Sequence, residues 1–190
     1  MQNNLKQILK FLQEAEKLKS VIRHSWLSTG HHESVAEHSW RLALMAIVLS
    51  PIVDSKIDLT KALQMAIVHD LAEIHAGDHI AWKKKSKNHH TLEKKALTKL
   101  LKNLPPIQKK QIQNLWKEYE TKKTPEAKFA KAVDKLETLN QHNLADLKTW
   151  TKEEYGYNLI HGTEEVKYSK TLQALKDLTD TQTRAKIGKK

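Results

Sequence analysis

The sequence predicts an all-α fold, a helical bundle formed by a single domain over residues 1–190, with its core at about 5–178. Three observations support this prediction. Only five glycines and four prolines interrupt the 190 residues. Long stretches are rich in Leu, Ala, Lys and Gln, which favour helix. Apolar residues recur at helical spacing, and no stretch shows the strict alternation typical of a half-buried strand.

The first two predicted helices cover residues 5–19 and 34–50. The second opens on Ser34-Val35-Ala36-Glu37, a capping box in which each polar side chain bonds the other residue's backbone N–H. We assign the large apolar side chains of this helix to the core. They are Trp40, Leu44, Met45 and Val48.

A third helix is predicted over residues 59–74, because Asp58 is a good N-cap and Gly77 can terminate the helix. The following stretch, 78–90, carries several charges and no helical period. We therefore predict a loop that covers one end of the bundle.

Helical spacing resumes over residues 91–101 and again, after two prolines, over 107–119. A Thr-Pro pair then starts a helix predicted over 124–147, since proline suits the first helical position. A last amphipathic helix is predicted over 164–178. The remaining segment, 179–190, is polar and basic, and we expect it to be flexible.

The composition excludes several classes of protein. Because the chain has no cysteine, disulfides, thiolate metal sites and a cysteine nucleophile are all excluded. The N-terminus does not resemble a signal peptide, and the longest apolar run, Leu42–Leu49, is far shorter than the roughly 20 residues of a membrane span. We expect a cytoplasmic protein with no membrane partner.

The formal net charge of +11 is compatible with two kinds of partner. It can mark a protein that binds nucleic acid, or one that attracts small anionic substrates. The lysines are dispersed, apart from short clusters at Lys83–Lys85, Lys122-Lys123 and Lys186–Lys190. No basic stripe is interleaved with aromatic residues, which favours a solvated lysine surface and argues against a nucleic-acid partner.

His69-Asp70 lies inside an apolar run, residues 62–72, of the third predicted helix. Burying an imidazole beside a carboxylate is costly unless something binds both, and a divalent metal is the usual partner. His38 follows the capping box of the second helix, and Asp134 lies beside an apolar stripe of a later helix. We therefore predict four metal ligands from three helices: His38, His69, Asp70 and Asp134.

A set of two imidazoles and two carboxylates neutralises a divalent ion and suits a borderline metal. We expect one ion, Co²⁺ or Mn²⁺, with Fe²⁺, Ni²⁺, Zn²⁺ and Mg²⁺ as alternatives. A His-Asp pair in a helix is more often a capping or salt-bridging accident, and eleven histidines make chance clusters common. The apolar setting of both segments favours the metal site.

The order His38, His69-Asp70, Asp134 resembles the H…HD…D signature of the HD-domain metal-dependent phosphohydrolases, an all-helical superfamily. Four segments extend the resemblance to its 5′-deoxynucleotidase branch: 33–41, 68–78, 116–120 and 126–135. The resemblance spans residues 10–150. It implies an HD-domain bundle, a small nucleotide substrate, a homodimer, and the removal of phosphate from deoxynucleoside 5′-monophosphates.

The resemblance also implies roles for residues beside the ligands. Glu73 orients the attacking water or accepts its proton, and Asp78 contacts that water or the sugar. Arg23 binds the phosphate and stabilises its charge in catalysis, since its planar fork holds two oxygens at once. Glu118 is expected to act from behind the ligands, through a hydrogen bond to a water on the ion.

The sugar is expected to meet an aromatic ring. Where a bacterial relative has tryptophan after the arginine, this chain has His24, with Trp26 two residues later. Either ring can exclude a 2′-hydroxyl. The loop after Gly77 also lacks the proline common in the family. The residues predicted to contact the substrate are Arg23, His24, Trp26, Asp70, Asp78, His79, Ile80, Ala81 and Asp134.

Two other functions stay open at this point. One is an HD phosphohydrolase that acts on a different nucleotide, such as a cyclic nucleotide, a dNTP or (p)ppGpp. The other is a non-catalytic, basic helical bundle that binds nucleic acid and uses the His-Asp pair only structurally. Phosphatase activity that depends on a metal separates the enzymes from the binding module, whose affinity would depend on salt instead.

Overall fold

The computed structural model describes residues 1–83, 86 and 88–188, and these confirm the all-α prediction. The helices are α1 (Gln2–Ala15), α2 (Val35–Leu49), α3 (Leu59–Val68), α4 (Glu73–Ala76), α5 (His89–Leu100), α6 (Pro106–Thr121), α7 (Pro125–Leu144), α8 (Lys152–Ile160), α9 (Thr163–Val166) and α10 (Lys170–Ile187). Single 3₁₀ segments cover Glu16–Ser20, Leu101–Asn103 and Leu147–Thr149. Lys84 and Lys85 of the first basic cluster, and Lys189 and Lys190 of the tail, lie outside the described residues.

Helices α2, α3 and α7 pack against one another and form the centre of the bundle. On one side, Met65, Leu101 and Tyr119 belong to an apolar cluster shared with α1, α5 and α6. On the other side, Phe129 and Leu136 belong to a second cluster that reaches α10. Each large side chain buried in this way contributes roughly 1.5–3 kcal/mol to folding, so the central helices are held from both sides.

Local sequence signals start the central helices as predicted. The Ser34 N–H donates to Glu37 Oε2 at 2.7 Å, and the Glu37 N–H donates to Ser34 Oγ at 3.2 Å, which completes the capping box of α2. Asp58 caps α3 by accepting from a backbone N–H. Thr124 caps α7 in the same way. These caps satisfy N–H groups that a helix start leaves unpaired.

The prediction of one continuous helix over 59–74 was wrong. The His69 N–H donates to the Met65 carbonyl at 2.9 Å, which is the last bond of α-helical span in α3. Beyond it the chain tightens into turns, as when the Glu73 N–H donates to the Asp70 carbonyl, three residues back, at 2.9 Å. The His-Asp pair therefore lies at the carboxyl end of α3, where side chains point away from the helix into a cleft.

The sequence also failed to predict an antiparallel hairpin between α1 and α2. Its strands are β1 (Ile22–Trp26) and β2 (His32–Ser34), paired with Ile22 opposite Ser34. The buried positions of β1 are polar, Arg23 and Ser25, while Ile22 is 52% exposed. In this strand the polar side chains point inward and an apolar one points outward. A search for alternating buried apolar residues therefore does not find it.

The C-terminal part of the chain differs from the prediction in two ways. Helix α8 was not predicted at all, and the predicted helix over 164–178 is replaced by the short α9 and by α10, which runs from Lys170 to Ile187. Thr179 and Thr183 are buried, so the segment expected to be flexible is helical as far as Ile187. Its buried hydroxyls bond backbone carbonyls one turn earlier, a pattern that hydropathy alone does not show.

Three apolar residues of α2 are exposed rather than in the core. Trp40 is 65% exposed, Leu44 44% and Val48 61%, whereas Met45 is half-buried. The reason is that α2 is apolar on most of its circumference and only the face that includes Leu42 turns inward. No helix in the described part of the chain, α2 included, has both the length and the hydropathy to cross a membrane.

Removing the α2 cap tests how far this helix depends on it. We expect Ser34→Ala to lower the free energy of unfolding by about 1 kcal/mol, because the first turn loses its side-chain acceptor. Urea denaturation measures this difference. Ser28→Ala, at an exposed position of the hairpin turn, is the matched control and should change stability little. Equal effects of the two substitutions would contradict the role of the cap.

Candidate metal centre and substrate cleft

His38 is fully buried in the first turn of α2. Its Nδ1 is hydrogen-bonded to Glu137 Oε2 on α7. Because a carboxylate only accepts, His38 donates from Nδ1, and its Nε2 points towards Asp134, whose Oδ1 lies 3.3 Å away. This arrangement leaves the Nε2 lone pair as a potential metal ligand.

His69 is oriented in a similar way at the end of α3. Its Nδ1 lies 2.9 Å from the carbonyl oxygen of Ala66 and donates to it. Its Nε2 lies 2.9 Å from Asp70 Oδ2. Since both histidines donate from Nδ1 to fixed acceptors, both present Nε2 to the same small space.

Asp134 is held on α7 by cationic and hydroxyl donors. Its Oδ2 accepts from the Tyr119 hydroxyl at 2.9 Å and lies 2.9 Å from Lys135 Nζ. Burial alone would raise the pKa of Asp134, but Lys135, His38 and Lys131 together hold it well below its usual value. Asp134 is therefore a carboxylate with Oδ2 occupied and Oδ1 directed at His38.

These side chains fit a divalent cation. One donor atom from each of His38, His69 and Asp134 lies within 4.8 Å of the others, and Asp70 Oδ2 lies 3.8 Å from His38 Nε2. The Nε2 atoms of both histidines are buried and make no hydrogen bond of acceptable geometry. Unpaired buried polar atoms are costly, and two imidazoles with two carboxylates are a suitable set for a transition metal.

A proton and a cation compete for the same nitrogen of His38. Burial lowers the pKa of His38, but the Glu137 and Asp134 carboxylates outweigh it and raise the pKa to about 9. Cation binding at Nε2 must then displace this proton. The carboxylates around His38 thus stabilise a positive charge at this position, whether a proton or a metal ion.

Arg23 extends from β1 into the same region and is buried. Its Nε donates to Glu33 at 3.1 Å and its Nη2 to the Thr138 hydroxyl at 3.2 Å. Its Nη1 lies 3.8 Å from Asp70 Oδ2 and 3.9 Å from Asp78 Oδ1, both longer than hydrogen bonds. Two nitrogens anchor the guanidinium, and the third is directed at the acidic side of the site.

A cleft of about 520 Å³ opens above the cluster, a size usual for small-molecule sites. Most of the residues predicted for the site line it. They are Arg23, His24, His69, Asp70, Glu73, Asp78, His79, Ala81 and Asp134. His38 is buried beside them, within reach of Asp70 and Asp134.

The structure does not bring three predicted residues to the lining of this cleft. The Trp26 ring packs on His32, with 3.9 Å between ring centroids, and Ile80 is not among the lining residues. Glu118 Oε1 lies 2.6 Å from Lys61 Nζ. Because successive residues of a helix are rotated by about 100°, Glu118 points away while its neighbour Tyr119 reaches the site.

A family model described as HD domain matches residues 15–176. The chain belongs to the HD-domain family. Among curated HD-domain relatives, 5′-deoxynucleotidase HDDC2 of Danio rerio is 35% identical over 145 residues, which cover 74% of this chain and 71% of that protein. The 5′-deoxynucleotidase hdd1 of Schizosaccharomyces pombe is 35% identical over 70% of each chain.

A solved structure has the same fold. It is the predicted metal-dependent phosphohydrolase from Magnetospirillum magnetotacticum, with a TM-score of 0.84 and 29% identity over 97% of this chain and 94% of that one. The predicted membership of the HD-domain phosphohydrolases is therefore confirmed, and this family implies a divalent metal.

Glu137 belongs to the candidate site and was not predicted from the sequence. Besides accepting from His38, its carboxylate accepts from Arg41 Nε at 2.7 Å. It lies one helical turn after Asp134 on the buried face of α7. Its partners His38 and Arg41 lie 99 and 96 residues earlier in the chain, so no local pattern marks it in the sequence.

Lysines on the cleft wall formed by α7 were also missed. Lys131 and Lys135 line the cleft one turn apart, with Asp134 between them in the sequence. Burial lowers the pKa of Lys131, whereas for Lys135 the Asp134 carboxylate outweighs burial and raises the pKa. In the sequence alone, these two lysines look like part of the dispersed surface charge.

Glu73 lines the cleft with one carboxylate oxygen, Oε2, buried and lacking a hydrogen-bond partner. Burial and the negative charges of Asp70 and Asp78 raise its pKa to about 10. A nearby divalent cation favours the charged form of a carboxyl group. Glu73 therefore presents an unpaired carboxyl oxygen to the cleft.

Glu137→Gln tests how His38 is oriented. Glutamine keeps the size and one acceptor but loses the charge, so we expect metal affinity to fall about 10- to 100-fold. Isothermal titration of the metal-free protein with Mn²⁺ measures this, and circular dichroism checks the fold. Glu16→Gln, exposed on the first 3₁₀ segment, is the control. Unchanged affinity in Glu137→Gln would refute the assigned role.

Proposed function

We propose that this protein is a metal-dependent 5′-deoxynucleotidase, which hydrolyses deoxynucleoside 5′-monophosphates to deoxynucleosides and phosphate. One observation carries the proposal: two buried, unpaired imidazole nitrogens and two carboxylates converge at a cleft that also contains cationic side chains. The names of the relatives supply the substrate class.

The residues proposed to hold the metal are His38, His69, Asp70 and Asp134, and we propose Co²⁺ or Mn²⁺ as the ion. When bound, such an ion supplies Lewis acidity for a phosphoryl oxygen and lowers the pKa of water. The protein contributes the orientation of the ligands. Glu137 and the Ala66 carbonyl fix the two imidazoles, so the ligands need little rearrangement.

Glu73 is proposed to accept the proton of the attacking water. The water oxygen forms a bond to phosphorus while the bond to the 5′ oxygen breaks. The proton of the water moves to a carboxylate oxygen, and the departing 5′ oxygen takes up a proton to give the hydroxyl group of the deoxynucleoside. The unpaired Oε2 of Glu73 is available for the proton of the water. Asp78, on the same side of the cleft, is proposed to orient the water or the sugar.

Arg23 is proposed to bind a phosphate oxygen through Nη1, the nitrogen that makes no hydrogen bond to its carboxylate neighbours. Its other two nitrogens are bonded to Glu33 and Thr138, so the group is already ordered. Lys131 and Lys135 face the same cleft and add positive charge. Such preorganised charge is the main source of rate in phosphoryl transfer.

His24 is proposed to contact the sugar, since its ring lines the cleft whereas that of Trp26 does not. The backbone after Asp78 is proposed to line the substrate at His79 and Ala81. A ring close to C2′ leaves little room for a hydroxyl group. This contact is the proposed source of selectivity for deoxynucleotides.

A phosphate-release panel tests the function. The substrates are deoxy- and ribonucleoside mono- and triphosphates, each assayed with Co²⁺, Mn²⁺, Mg²⁺ or Zn²⁺. We expect release from deoxynucleoside monophosphates, loss of activity with EDTA and recovery with Co²⁺ or Mn²⁺. Equal rates on AMP and dAMP would refute the deoxy selectivity. Inactivity on every monophosphate would refute the nucleotidase proposal as a whole.

Asp70→Asn tests the ligand set. We expect activity to fall at least 100-fold with little change in melting temperature, because the substitution removes a charged ligand but conserves the shape of the side chain. Asp177→Asn, at an exposed position of α10, is the matched control. If both variants keep wild-type activity, Asp70 is not a ligand.

We also propose a homodimer. The exposed Trp40, Leu44 and Val48 of α2 form an apolar surface of the kind that commonly pairs with another copy. Light scattering after gel filtration should give twice the mass of 21.9 kDa, and Trp40→Glu should give the monomer. A monomeric wild type would refute this proposal. The cytoplasmic location expected from the sequence stays a prediction.

A further inference from the structure

A second cluster of potential ligands lies beside the cleft, where β1, α7 and α8 meet. It consists of His24, His142 and Glu154, and one donor atom from each lies within 4.8 Å of the others. Glu154 Oε1 lies 3.6 Å from His142 Nε2 and 3.9 Å from His24 Nε2. None of these three residues is among the four proposed ligands of the first site.

His142 is oriented as a metal ligand would be. It is buried, and its Nδ1 lies 2.9 Å from Asn158 Oδ1, to which it donates. Burial lowers the pKa of His142 to about 4, so the ring is neutral and Nε2 carries a lone pair. The Ser25 hydroxyl, 3.0 Å away, donates a hydrogen bond to that lone pair, and a rotation of the hydroxyl releases the nitrogen.

Glu154 contributes the negative charge. Its Oε2 accepts from the Thr151 N–H at the start of α8, which leaves Oε1 to face the histidines. The side chain is buried, although no lysine or arginine pairs with it among the described residues. A buried carboxylate without a cationic partner is costly.

His24 is the least satisfied member of the cluster. Both of its ring nitrogens are shielded from solvent, and neither has a hydrogen-bond partner. The ring makes a T-shaped contact with Trp82, with 4.5 Å between centroids, and Asp78 Oδ2 lies 3.9 Å from Nδ1. The ring therefore lies between two carboxylates and bonds to neither.

We propose that His24, His142 and Glu154 form a second divalent-cation site, suited to Zn²⁺. Two neutral imidazoles and one carboxylate are a ligand set that zinc commonly takes. Ligands at about 2.1 Å from a tetrahedral ion lie about 3.4 Å apart, close to the 3.6 and 3.9 Å found here. A water molecule or the Ser25 hydroxyl can complete the coordination.

The ion has a structural role in this proposal. It links β1, which carries Arg23, to α7 and α8, and it holds the His24 ring in place at the rim of the cleft. The proposal concerns metal binding alone, so it does not depend on which phosphoester the first site hydrolyses. A failure of the nucleotidase proposal leaves it unaffected.

The test counts tightly bound Zn²⁺ in the full chain, by mass spectrometry after dialysis and by isothermal titration. We expect two equivalents for the wild type, one for His69→Ala, which disables the first site, one for Glu154→Gln, and none for the double variant. Co²⁺ substitution of His69→Ala should give visible absorption bands that Glu154→Gln removes. Glu153→Gln, exposed on α8, is the control and should keep two equivalents.

His24→Asn provides an independent check, because it removes a ligand from β1 rather than from α8 and should also lower the stoichiometry by one. Circular dichroism of the metal-free proteins confirms that the variants fold. A His69→Ala protein that binds no Zn²⁺ would overturn the proposal. So would unchanged stoichiometry in Glu154→Gln and His24→Asn, which is the result expected if Glu154 merely pairs with a protonated His24.

Discussion

Helix α7 carries the constraint on which the rest of the structure depends: a stripe of polar side chains along one buried face. The stripe recurs at helical spacing and consists of Asp134, Glu137, Thr138, Gln141 and His142, all buried. Each of these groups must find a hydrogen-bond partner, because burying it unpaired is costly. The bundle around α7 is arranged so that most of these partners come from elements distant in sequence.

The hairpin between α1 and α2 supplies several of those hydrogen-bond partners. Arg23 reaches Thr138, Ser25 reaches His142, and the Trp26 carbonyl accepts from Gln141. A helix in the position of the hairpin would use its carbonyl groups in its own backbone hydrogen bonds, and they could not accept from α7. An irregular strand pair instead offers both side chains and free backbone groups, which explains why polar residues occupy the inward positions of β1.

The sequence predicted the features that depend on local chemistry and missed those that depend on partners. The caps at Ser34 and Thr124 follow from short-range hydrogen bonds, and Asp70 and Asp134 were recognisable as candidate ligands because they interrupt apolar runs. Glu137 and the second cluster were not recognisable, since their burial depends on distant elements. Glu118 lies outside the cleft lining, because the motif resemblance specifies its position in the sequence but not the rotation of α6.

The charges of the cleft explain why a strongly basic protein can hold a cation. The carboxylates of Asp70, Glu73 and Asp78 lie together on the side formed by the end of α3 and the turns after it, and Lys131 and Lys135 lie on α7. A cation is stable near the first side, and a phosphate dianion that bridges to the second side neutralises the lysines. A long nucleic acid needs an extended basic surface. A cleft of about 520 Å³ with both signs of charge instead favours a small phosphate monoester.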